Sequence, residues 1–187
     1  MSRRTLEFGS AIIIIGLLAG VAGAATTLLL HAIEHLTYHY SFGTLLTGVG
    51  DSSPVRRAVG PMIGGALAGC GWWILRRRNE VPELNPTIKS HRAIPRVPMS
   101  IDAGLQVLLV GSGASLGREG APRQLAAALG DFATTRLTLT ARDREILLAC
   151  AAGAGLGAVY SVPLGGACQQ DFAIARRQRQ PCSAEIA

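Results

Sequence analysis

The chain has 187 residues, 49% of them hydrophobic and only 5% aromatic, with 23 Gly and a mean hydropathy of +0.32. A net charge of +6 and a pI of 9.8 would suit a nucleic-acid partner, but the Lys and Arg flank long apolar runs with few aromatics among them to stack on bases, so they read as juxtamembrane anchors. The four cysteines (Cys70, Cys150, Cys168, Cys182) form no CxxC pair and have no His at ligand spacing, so they indicate neither a zinc site nor a disulfide framework; Cys70 and Cys150 read as small apolar fillers.

A short basic start, Met1 to Glu7, precedes Phe8 to Leu30, an apolar run rich in Gly and Ala. It ends in small residues like a signal peptide, yet continues through Thr26 to Leu30 and is long enough to span ~30 Å of hydrocarbon. No Lys or Arg occurs between Arg4 and Arg56, so the loop from His39 to Val55 is expected outside and the N-terminus in the cytoplasm. His31, His35 and His39 recur at helical spacing beside Glu34, a row able to hold a metal; a wetted helix end at the membrane surface is the preferred reading, and no metal site is assigned.

The second apolar run, Ala58 to Leu75, closes on Trp72 and Trp73 at an interfacial position and on Arg76 to Arg78, an orientation signal that belongs inside. Asn79 to Met99, broken by Pro82, Pro86, Pro95 and Pro98, is too polar to span and has room for one short helix around Glu83 to His91. Ile101 to Leu116 is a third apolar segment, Ala121 to Leu129 a short fourth and Ile146 to Val162 a fifth. A helix too short to cross alone marks discontinuous or re-entrant membrane architecture. Small residues spaced by four, among them Gly16 and Gly20, Gly60 and Gly64, and Gly153 and Gly157, predict close helix packing in lipid. After Gly166 the sequence turns polar and basic, so residues 1–166 are expected to form the membrane unit and 167–187 a tail outside the fold, as if the chain stops mid-fold.

Gly111 to Pro122 carries the chemistry. Arg118 and Glu119 interrupt two apolar segments, and Pro122 suits the opening turn of a helix. Glu119 then precedes a helix N-terminus, where unpaired N–H groups and the helix dipole attract anions. An intramembrane carboxylate is functional by default, so a functional role outweighs a helix cap or an interfacial salt bridge with Arg118 or Arg123. A phosphate loop is excluded by the glycine spacing and the missing Lys-Ser/Thr.

Three segments resemble the CLC family of chloride channels and proton-coupled chloride transporters. Gly117 to Ala121 (GREGA) is similar to the family's GREGP, with Pro122 one place later; Ala151 to Gly166 is similar to its small-residue helix and Asn-Ala-Pro-Leu-Ala-Gly corner; Val81 to Leu84 (VPEL) resembles the IPEI that ends its GSGIP motif. The resemblance implies an all-α, polytopic membrane protein with broken helices, one of two inverted halves, in the plasma (inner) membrane. It implies voltage- or pH-gated chloride transport, with no enzymatic activity and no cofactor beyond the transported ion. Glu119 matches the gating glutamate, and the backbone N–H groups around Arg118, Gly120 and Ala121 match the amides of the anion site. Asn79 stands where the motif's anion-binding serine belongs, and Gly111 to Gly113 is a decoy GSG. Phe172 and Ala173 lie near the place of the antiporters' internal proton-transfer glutamate, and the family's homodimer is the implied assembly. The alternative is a truncated, non-transporting remnant or scaffold that needs a second half.

Overall fold

The computed structural model describes residues 3–39, 48–50, 52–89, 94–137 and 139–162. Among them are six principal helices and no strand: α1 Arg3–Tyr38, α2 Pro54–Arg78, α3 Leu84–Lys89, α4 Arg96–Gly111, α5 Gly120–Thr134 and α6 Ala141–Tyr160. The expected tail and the corner beyond Val162 lie outside the described residues, as do Cys168, Cys182, Phe172 and Ala173.

The first helix runs further in both directions than the apolar run suggests, because no Pro or Gly cluster stops it before His39, which takes a left-handed φ of +53°. Thr26 and Thr27 sit mid-helix with their hydroxyls donating to the carbonyls of Ala22 and Gly23 at 2.7 and 2.9 Å. That internal pairing lets a hydroxyl enter an apolar helix without an unmet donor. Pro54 opens α2, capped by Ser53, whose side chain accepts from the Arg56 N–H, and the helix closes on Arg76 to Arg78. By length and composition, Glu7–Tyr38 and Pro54–Arg78 are long and apolar enough to cross a membrane.

Helices α4 and α5, with 16 and 15 residues, rise only about 24 and 22 Å and fall short of the ~30 Å hydrocarbon layer. The break between them is built by the decoy GSG. Ser112 is the C-cap of α4, the Gly113 N–H donates to Val110 O, and the Ala114 N–H reaches back to Leu109 O. This is a Schellman closure, and Gly113 supplies its left-handed residue at φ +103°. The expected short helix begins at Gly120 rather than at Pro122, which occupies its third position, and runs on to Thr134.

Packing places α1 against α4, α5 and α6, with α5 wedged between α4 and α6, while α2 lies outside on α4. On α1 the inward row is Ala11, Ile15, Ala19 and Ala22, continuing to Leu30, whereas Ile12, Ile13, Leu17 and Val21 point outward. Small residues inside and large ones outside is the pattern of helices that associate in lipid, where close backbone approach matters more than apolar burial. The glycines divide accordingly. A Cβ on Gly155 would meet Ala126 Cβ and Pro122 O at 2.5 and 2.6 Å, and one on Gly23 would meet Ala158, so these glycines set helix spacing. Gly16 and Gly20, paired by sequence, have nothing within 4 Å.

Candidate functional site

Residues 112–119 join α4 to α5 and deliver Glu119 to the N-cap position of α5, at φ −82° and ψ −29°. Its side chain is exposed, does not cap its own helix, and has no hydrogen bond or ion pair among the described residues. The opening N–H groups of a helix lie outside its regular ladder, and Pro122 has none to offer, so Glu119, Gly120 and Ala121 carry the N–H groups at this end. Gly120 lies against the amide end of Gln106, which a Cβ there would have to displace.

The two arginines considered as salt-bridge partners of Glu119 are otherwise placed. Arg118 turns to α1, where its Nη2 lies 3.5 Å from Oε1 of Glu34. Arg123, in the first turn of α5, has a buried Nε with no hydrogen-bond partner. A guanidinium in the first turn adds positive potential at the end of the helix where the dipole already favours an anion. Asn79 is the exposed C-cap of α2, its N–H bonded to Leu75 O. Since α2 meets α4 through Trp72 and Asp102, Asn79 stands about two turns further along α2, or roughly 10 Å, and is separate from the Glu119 end.

Three buried polar assemblies tie the helices together, two on the Glu119 side of the bundle and the third at the far end of α5, none of them anticipated from sequence. Glu34 turns inward at 3% exposure, away from the exposed His31 and His35, which splits the supposed metal row. Asp102, also buried, accepts from Trp72 Nε1 and from Gln106 Nε2, both at 2.7 Å; Gln106 Nε2 also donates to Gln124 Oε1 on α5 at 3.0 Å. Trp72 is therefore an internal donor, while Trp73 alone faces outward under the Arg77 guanidinium. Asp131, 1% exposed, accepts from Arg96 Nε at 2.8 Å and from Arg144 Nη2, tying together the ends of α4, α5 and α6. The sequence signal available for all three was a carboxylate isolated in an apolar segment.

The model of the family described as Voltage gated chloride channel matches residues 64–169, more than half of the chain. A protein of Citrobacter koseri named voltage-gated ClC-type chloride channel ClcB is 31% identical over 158 residues, which is 82% of this chain and 38% of that protein. Proteins of the same name from Escherichia coli O81 and from Escherichia coli K12 are 29% and 28% identical over the same shares. The chain thus spans about 38% of the length of these curated relatives. No solved structure matches it.

Proposed function

This chain belongs to the CLC family of voltage-gated chloride channels, and from that premise we propose that it forms part of an anion pathway across the membrane, with Glu119 as a gate. The observation that carries the proposal is the unpartnered Glu119 carboxylate at the N-cap of α5, beside donors that its own side chain does not satisfy. A carboxylate and a halide compete for the same N–H groups. From the exposed position it holds in this structure, the ionised Glu119 turns onto these N–H groups in the closed state; protonated or outcompeted, it leaves them to the anion. Gly120 and Ala121 supply backbone donors, and Arg118 and Arg123 add positive potential.

In this reading Asn79 offers a side-chain N–H to an anion elsewhere on the pathway, the protein sits in the plasma membrane with its N-terminus cytoplasmic, and the working assembly is a homodimer. The test is chloride flux from proteoliposomes reconstituted with this chain, compared with Glu119→Gln. Flux that rises as pH falls, and loses that dependence in the variant, supports the gate. Flux identical in both removes Glu119 from the mechanism, and no flux from either refutes transport by this polypeptide alone, in favour of a unit that needs a second half.

A further inference from the structure

The loop that carries Glu119 has little packing of its own. Residues 115–119 are exposed, and a cavity of about 20 Å³, bounded by Gly117, Arg118, Ala121 and Gln106 with Thr26 and Leu30 of α1, lies behind it. Gly64 and Pro61 of α2 lie against Ser112 and Gly113 at the loop's start, and two polar contacts, one at each end, come from the last turns of α1. Tyr38 Oη donates to Ser112 O at 3.0 Å where the loop begins, and the hydroxyl sits so close to Gly113 that any side chain there would collide with it. Glu34 meets Arg118 where the loop ends. Glu34 and Tyr38 are four residues apart, so they share one face of α1.

We infer that α1 is a latch: Glu34 and Tyr38 are positioning residues that hold both ends of the 112–119 loop and thereby fix where the Glu119 carboxylate stands. The inference rests on the gating role proposed above only for its functional consequence. A carboxylate 3% exposed retains its charge at low cost only with a cation close by, and Arg118, with 44% of its side chain exposed, is the member of the pair that water can solvate. A shift of α1 relative to α4 therefore reaches the loop at both ends, and at the Arg118 end it acts one residue from Glu119.

Trypsin scission after Arg118 reads the latch directly, since cleavage tracks the population in which that arginine is released. In the full chain in micelles, Glu34→Gln is expected to speed scission at Arg118 about tenfold, the equivalent of one hydrogen bond to a charged group. Glu34→Asp restores most of the protection, and Tyr38→Phe accelerates amide exchange at Gly113 and Ala114. Scission at Arg136 is the internal control: if it rises equally, Glu34 supports the whole bundle and the latch is wrong. Equal rates at Arg118 in wild type and Glu34→Gln also overturn it. In proteoliposomes the effect of Glu34→Gln on chloride flux should vanish in the Glu119→Gln background. Faster scission together with flux indifferent to Glu119→Gln keeps the latch and removes the gate, so the two proposals fail separately.

Discussion

Replacing Asp131 with Ala removes the acceptor shared by Arg96 and Arg144. Asp131 is 1% exposed, and the side chain of Arg144 is 18% exposed, so their contact is a buried ion pair, for which loss of one partner typically costs about 3–5 kcal/mol. Arg96 is 38% exposed and also donates to Thr135 Oγ1 at 3.0 Å, so water and that hydroxyl can replace much of its share, leaving under about 1 kcal/mol. Asp131→Ala is therefore expected to destabilise the bundle by about 3 kcal/mol. Arg144→Ala should cost about half as much, because Asp131 keeps Arg96, and Arg96→Ala the least. The measurement is equilibrium unfolding in mixed micelles followed by helical circular dichroism. A change below about 1 kcal/mol for Asp131→Ala, or Arg96→Ala as the most damaging of the three, would refute a triad whose strength tracks burial.

Gly113→Ala should cost about 2 kcal/mol, from a left-handed backbone and displacement of the Tyr38 hydroxyl, with part of the loss recovered by adding Tyr38→Phe; unfolding of the single and double variants checks this. Gly155→Ala should destabilise by about 1–3 kcal/mol, since it must push α6 off Ala126 and the Pro122 carbonyl, whereas Gly16→Ala and Gly20→Ala should be neutral or slightly stabilising in the same assay. Trp72→Phe keeps an aromatic side chain of smaller size but leaves one oxygen of Asp102 without its donor, for an expected loss of about 1.5–3 kcal/mol, measured as a shifted unfolding midpoint; no shift would mean that water replaces the indole N–H.

The sequence alone determined those features whose cause is local. A run of apolar residues makes a spanning helix, Arg76 to Arg78 close the second run, and a Gly-rich break ahead of the short fourth segment places Glu119 at a helix mouth. Each depends on residues within a turn or two, and the family motif lies in the same short stretch. Tertiary structure alone decided which side of each helix faces inward. In a membrane helix polarity cannot mark that side, because Ile12 and Ala11 are equally at home in lipid; the choice falls on residue size, which only the neighbouring helix reveals. The polar partners follow from that choice. Glu34 and Arg118 are separated by 84 positions, Arg96 and Asp131 by 35, and Trp72 and Asp102 by 30, so no periodicity within one segment could join them. Each carboxylate was visible as an isolated charge in an apolar run, but its cation or N–H donor comes from another helix, and packing fixes which one it meets.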